Sequence, residues 1–183
     1  DDDGDSWPDV TEEQCGSDPL DQISLPSDHD EDGSCDVLDA DDDNDGICDK
    51  GEVADDCVIG GSGMDRCPYS VVGFISGQAT DVDSDGCEDA TEDDDDDDDG
   101  FSDLLDACSK VFGSSNEGDM DGCPDSDGDG WADEIDLLPD EITQWIDNDG
   151  DGFGDNQSGF EPDSCIDYAG DSKIDRFGCK DTD

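Results

Sequence analysis

Positive charge is almost missing from this chain. Six lysines and arginines face 61 aspartates and glutamates across 183 residues, a formal net charge of −55. That balance excludes nucleic-acid binding, which needs Lys and Arg against phosphate. An anionic membrane surface would repel the chain unless a cation bridged the two. Long apolar runs are missing as well. Only 30% of residues are apolar, the ten cysteines included, and no stretch nears the roughly 20 apolar residues of a membrane span. No basic-then-apolar leader opens the chain. Histidine occurs once, as His29, and Cys-x-x-Cys never occurs, which argues against zinc. With one histidine there is no nucleophile–base set. No apolar cleft is available to raise one carboxyl group above its neighbours, so an enzyme is not expected. Hydrophobic periodicity of either kind is sparse, which predicts little helix or sheet.

Aspartate, by contrast, recurs in a fixed rhythm. Seven twelve-residue windows carry carboxylates at positions 1, 3, 5 and 9, and usually at 12. Loop 1 is Asp1, Asp3, Asp5, Asp9, Glu12. Loop 2 is Asp28, Asp30, Asp32, Asp36, Asp39. Loop 3 is Asp41, Asp43, Asp45, Asp49, Glu52. Loop 4 is Asp81, Asp83, Asp85, Asp89, Glu92. Loop 5 is Asp95, Asp97, Asp99, Asp103, Asp106. Loop 6 is Asp125, Asp127, Asp129, Asp133, Asp136. Loop 7 is Asp147, Asp149, Asp151, Asp155, with Ser158 at position 12. Position 6 is glycine in six windows and Ser6 in the first.

This spacing suits calcium. The ion takes six to eight hard oxygens at about 2.3–2.6 Å, and only a tightly curled backbone delivers that many from one short segment. Glycine at position 6 permits the positive φ of the curl. Position 7 conventionally supplies its carbonyl, leaving its side chain free. At least one Ca²⁺ per loop is therefore expected. The run Asp93–Asp99 reads as an acidic tract in isolation, but its register with Gly100, Asp103 and Asp106 predicts ordered ligation. Glu161 or water is the expected substitute for a carboxylate at Ser158. His29, at position 2 of its loop, is expected to face solvent.

Position 7 is Trp7, Ser34, Ile47, Cys87, Phe101, Trp131 and Phe153. These side chains predict a small local core beneath each loop; stacked contacts between neighbouring chains are the alternative. Ten cysteines, an even count, suggest the sequential pairs Cys15–Cys35, Cys48–Cys57, Cys67–Cys87, Cys108–Cys123 and Cys165–Cys179, although spacing alone does not fix connectivity. Disulfides would imply an oxidising, extracellular setting. The longest spacer, 58–80, suggests a short β-hairpin or an extended excursion. Residues 134–145 suggest one or two helical turns broken at Pro139. Asn156-Gln157-Ser158 is a glycosylation sequon, making Asn156 a candidate glycan site.

Asp125-Ser126-Asp127-Gly128-Asp129-Gly130-Trp131-Ala132-Asp133, preceded by Cys123-Pro124, resembles a thrombospondin type-3 repeat, as do 41–52 and 81–92. The resemblance covers nearly the whole chain as a tandem array. Its longer spacers are more similar to the arrays of microbial surface proteins. It implies a chain wound around a line of calcium ions and tied by disulfides, with more than one ion per loop allowed. It also implies an extracellular adhesive, spacer or matrix role. The expected organisation is one continuous array over 1–183, with sub-units near 1–57, 58–106 and 107–183, forming a segment of a longer chain. The expected function is that of a calcium-rigidified stalk, spacer or filament segment, at the cell surface or beyond it. Its partners would be copies of itself or other matrix and surface proteins. The alternative is a calcium-dependent adhesion module for a protein or glycan. Folding and ion binding are expected to be one event.

Overall fold

A computed structural model describes residues 1–51, 53–174 and 176–181. Regular secondary structure is nearly absent from it. Among the described residues there is one helix, α1 (Asp9–Cys15), and no strand. The helix continues directly from loop 1. Asp9 and Glu12 sit in its first turn, where the helix dipole favours negative charge. Gly16 ends it at φ +89°, donating its N–H to the Glu12 carbonyl. The remaining described backbone is turns and bends, with two isolated parallel bridges, Ile47 to Val58 and Glu117 to Trp131.

The chain divides into two compact units, Asp1–Asp93 and Asp94–Asp183. All five sequential cysteine pairs are bonded: Cys15–Cys35, Cys48–Cys57, Cys67–Cys87, Cys108–Cys123 and Cys165–Cys179. No cysteine is free, and each bridge lies within one unit. Among the described residues no helix is long and apolar enough to cross a membrane.

The core is made of unusual material. Among the described residues the buried apolar ones are Cys35, Cys48, Cys57, Cys87, Cys123 and Cys179, with only Ile47, Phe74 and Ala132 besides. Side chains of Glu12, Asp41, Asp43, Asp45, Asp81 and Asp163 are buried alongside them. Sulfur bridges and carboxylates thus fill the place of aliphatic packing.

Segment 58–80 is not a hairpin. It folds back over loop 3 instead of pairing with itself. Val58 donates to the Gly46 carbonyl and accepts from the Cys48 N–H; Ser76 donates to the Asp45 carbonyl. The glycines explain the choice. A Cβ on Gly60 would lie 1.9 Å from the Ser84 carbonyl oxygen, so the bare backbone is what allows this segment to approach loop 4. Residues 134–145 form separate hydrogen-bonded turns, Ala132–Asp136, Leu138–Glu141 and Glu141–Gln144, without a helix. Pro139 lacks the N–H that would carry one turn into the next.

Position 7 is buried or ring-packed at Ile47, Cys87, Trp131 and Phe153, by more than one means, while Trp7, Ser34 and Phe101 are half-buried. Ile47 is buried, and Cys87 is buried as half of a disulfide. Trp131 stacks on Trp145 with centroids 6.0 Å apart and planes 6° from parallel. Phe153 tilts against Phe177 at 5.7 Å. His29 is not simply solvated: its Nε2 lies 3.1 Å from the Ser70 carbonyl, and its ring meets Tyr69 edge-on at 5.2 Å. The fold-back of 58–80 brings both partners to it.

Candidate metal-binding loops

Each of the seven windows adopts the same curl. The position-5 N–H donates to the position-3 carboxylate in loops 1 to 3, 5 and 6, for example Asp45 to Asp43 at 3.1 Å and Asp129 to Asp127 at 3.1 Å. The position-7 N–H donates to the position-5 carboxylate in all seven, as Trp7 to Asp5 and Phe153 to Asp151 show. In loops 2 to 7 the position-6 glycine N–H donates to the position-1 carboxylate. The position-9 carboxylate (Asp9, Asp36, Asp49, Asp89, Asp103, Asp133) accepts the N–H of position 2, and Asp155 accepts that of Asn148.

Two residues per loop take the left-handed conformation, not one. Position 6 does so as expected, Ser6 included, at φ +95°. Position 4 does so too, in Gly4, Glu31, Asn44, Ser84, Asp98, Gly128 and Gly150. The second kink turns the carboxylates of positions 1, 3 and 5 to one side.

The decisive feature is what each carboxylate does with its second oxygen. In most of them one oxygen accepts a backbone or serine hydrogen bond. In many cases the other is buried and has no partner. Such orphans are Asp3 Oδ2, Asp5 Oδ2 and Glu12 Oε2 in loop 1, and Asp28 Oδ1 in loop 2. They are Asp41 Oδ1, Asp45 Oδ2 and Asp49 Oδ1 in loop 3, and Asp83 Oδ1 in loop 4. Loop 5 has Asp97 Oδ2 and Asp106 Oδ2; loop 6 has Asp127, Asp129 and Asp136 Oδ2; loop 7 has both oxygens of Asp149 and Asp155 Oδ1. An uncompensated buried carboxylate costs on the order of several kcal/mol, so native folds almost never leave them in sets. In loops 1 to 4 the position 1, 3 and 5 carboxylates each bring an oxygen within 4.8 Å of the others. Oxygens on opposite sides of an ion bound at about 2.4 Å stand about 4.8 Å apart. The donor set is entirely oxygen, because every cysteine is oxidised. These clusters could hold a hard divalent cation.

Position 12 is less uniform than the sequence suggests. Glu12 is fully buried. Asp39 caps the N–H groups of Ala40 and Asp41. Glu92 is exposed and accepts a hydrogen bond from Ser70 at 2.6 Å. Glu52 lies outside the described residues. In loop 7 Glu161 is exposed, and the buried carboxylate beside the loop is Asp163. A second carboxylate outside the windows, Asp65, stands beside loop 3. A signal for both was present in the sequence: Asp65-Arg66-Cys67 and Asp163-Ser164-Cys165 repeat the Asp106-Ala107-Cys108 ending of loop 5. The candidate glycan site is engaged, since Asn156 Nδ2 donates to the Thr143 carbonyl at 2.8 Å.

Burial and mutual repulsion raise the carboxyl pKa values, most of all around loop 3. Asp41, Asp43 and Asp45 are 1%, 2% and 1% exposed. Burial, then the charges of Asp43 and Asp49, pushes Asp41 to about 6. Burial, then Asp43 and Asp41, pushes Asp45 to about 7. Burial, then Asp45 and Asp43, pushes Asp65 to about 8. A carboxyl raised on folding stabilises the fold fully below its ordinary value of 3.8 and loses that contribution as pH climbs through the raised value. The metal-free fold should therefore weaken between about pH 4 and 8, the window in which a cation displaces these protons. Calcium added at pH 7 in weak buffer is expected to release protons, with apparent affinity rising from pH 5 to 8. A pH electrode during titration checks this; a release of zero would contradict it.

No family model matches the sequence, and no curated protein matches it. The class is defined by the structure alone: a chain of carboxylate loops clamped by disulfides.

Proposed function

We propose that this chain is an extracellular calcium-binding structural protein, a stalk, spacer or filament segment of thrombospondin type-3-like repeats made rigid by its ions. The observation that carries the reading is the repeated set of buried, partnerless carboxylate oxygens, present in all seven loops. Calcium is favoured over softer metals by an all-oxygen donor set, and over magnesium by loops offering more carboxylates than a water-retaining octahedral ion uses. The residues that would hold it are those of positions 1, 3 and 5, with position 9 and the closing carboxylate. The bound ion would supply positive charge at the centre of each loop and nothing catalytic. Five disulfides support an oxidising, extracellular location, where millimolar calcium suits modules of modest affinity.

A second reading, calcium-dependent adhesion to a protein or glycan, draws support from the exposed Tyr69, Val71, Val72 and Ile75 in one short segment. Native mass spectrometry of the oxidised chain in calcium tests the main reading. At least seven bound ions are expected. A mass without calcium would end both readings, while a stoichiometric complex with a second protein or glycan would favour adhesion.

A further inference from the structure

Loops 3 and 7 extend their closing position far beyond the twelve-residue window. In the loops with a regular ending, the backbone N–H of position 12 donates to the carbonyl of position 8: Glu12 to Pro8, Asp39 to Cys35, Glu92 to Glu88, Asp106 to Ser102, Asp136 to Ala132. In loop 7 the position-8 carbonyl belongs to Gly154, and the N–H it receives is that of Asp163, at 2.8 Å. In loop 3 it belongs to Cys48, and the N–H is that of Asp65, at 3.2 Å. Backbone geometry therefore places Asp65 and Asp163 where position 12 sits elsewhere.

Their side chains follow suit. In loops 5 and 6 the N–H two residues on donates to Oδ1 of the closing aspartate, Cys108 to Asp106 at 2.6 Å and Leu138 to Asp136 at 2.7 Å. Oδ2 of each is then left buried without a partner. Cys67 makes the same bond to Asp65 at 2.6 Å, and Cys165 to Asp163 at 2.7 Å. Asp65 and Asp163 are 9% and 0% exposed, and Oδ2 of each is buried without a partner. We propose that Asp65 and Asp163 are the closing calcium ligands of loops 3 and 7, each positioned by a disulfide.

The bridges contribute in a specific way. Cys67 and Cys165, which hold the carboxylates by their N–H groups, are bonded to Cys87 and Cys179. The residue before each partner is a glycine in the left-handed region, Gly86 or Gly178. A Cβ on Gly86 would lie 2.1 Å from Asp65 Oδ1, and one on Gly178 would lie 2.0 Å from Asp163 Oδ1 and 3.3 Å from Asp151 Oδ2. The bridge thus seats a bare backbone against Oδ1 of the carboxylate and leaves Oδ2 as the oxygen without a partner. In loop 7 the same clip adds the Gly170 N–H, which donates to Asp151 Oδ2 at 2.8 Å. Long excursions separate these aspartates from their loops in sequence, and the disulfide clips return them.

The inference rests on the loops being calcium sites, and the test separates the two. Calcium binding is measured by native mass spectrometry and calorimetry on the full oxidised chain, for wild type, Asp65→Asn, Asp163→Asn and the control Glu161→Gln. Each Asp→Asn variant is expected to weaken one site by about tenfold or more, a scale reached even by loss of an outer-shell partner. One fewer ion should be retained at half-saturating calcium, with Glu161→Gln matching wild type. If wild type binds no calcium, the reading of the loops fails. If wild type binds and both Asn variants match it, this assignment alone is overturned. Should a variant fail to fold, the wild type still decides. Carboxyl ¹³C resonances of Asp65 and Asp163 should shift on calcium addition together with those of Asp41 and Asp147, and resonances that stay in place overturn the assignment.

Discussion

Chelating calcium from the oxidised protein is expected to open both units together, accelerating proteolysis roughly a hundredfold or more and abolishing the near-ultraviolet dichroism of the Trp131–Trp145 stack. The reasoning is electrostatic. Removing the ions would leave 61 acidic residues against 6 basic ones, with sets of like charges crowded within 4.8 Å in the loops. Little resists that repulsion. The described ion pairs include Lys50–Asp42 at 3.8 Å, Arg66–Asp85 at 3.2 Å and Lys110–Asp96 at 2.9 Å, with the basic partner about half exposed in each. The aspartate of each pair is buried, at 7%, 3% and 6% exposed, so these cations serve single carboxylates and leave the rest of the acidic excess unanswered. The buried apolar set is mostly cystine sulfur, so the conformational entropy of about 1–2 kcal/mol per residue has no aliphatic core to offset it. The disulfides survive chelation and hold closed loops, so expansion is limited but order is lost. Scattering and limited digestion in calcium and in EDTA measure both. A chelated protein with unchanged scattering and unchanged digestion would contradict the structural role proposed for the ions.

The second large effect is expected from one methyl group. Gly122→Ala should destabilise the calcium-loaded protein by about 2–4 kcal/mol, combining a left-handed residue that cannot take a side chain freely with overpacking of a filled site. Gly122 has φ +76°, and a Cβ there would lie 2.2 Å from Asp106 Oδ1 and 2.4 Å from its Cγ. Asp106 is the closing carboxylate of loop 5, so the intruding methyl also pushes a ligand out of register. Gly100→Ala is the comparison. Its φ is +97°, but nothing lies within 4 Å of the added atom, so its cost is the backbone term alone, about 1 kcal/mol. Thermal unfolding and calcium titration of the two variants separate the terms. Equal losses would show that the carboxylate contact has no weight.

Much of the carboxylate arrangement was legible because the chemistry of the proposed ion constrains local spacing. Positions 1, 3, 5 and 9 could be read directly, since one curl brings them together within a dozen residues. The cysteine pairs follow sequential order, although spacing alone did not fix them: Cys35 lies 13 residues from Cys48 but bonds Cys15, 20 residues away. Position 4 was not: Glu31, Ser84 and Asp98 give no compositional sign that their φ is positive. The fold-back of 58–80 was hidden because it depends on where Gly60 meets Ser84, a contact between distant segments that no periodicity encodes. Asp65 and Asp163 carried a local sign, the Asp-x-Cys ending they share with Asp106, but not the loop each one joins. Each joins its loop through a hydrogen bond to position 8 and a disulfide, and the intervening residues carry no rhythm of their own.

That hydrogen bond has a consequence for how such chains can diversify. The eighth carbonyl accepts its N–H whether the donor follows at once, as in loop 6, or after a detour, as in loops 3 and 7. The stretch between the two is a natural insertion port, where foreign sequence can be spliced in while the cation cage on either side keeps its shape. A chain built this way can display new surfaces without redesigning the loops themselves.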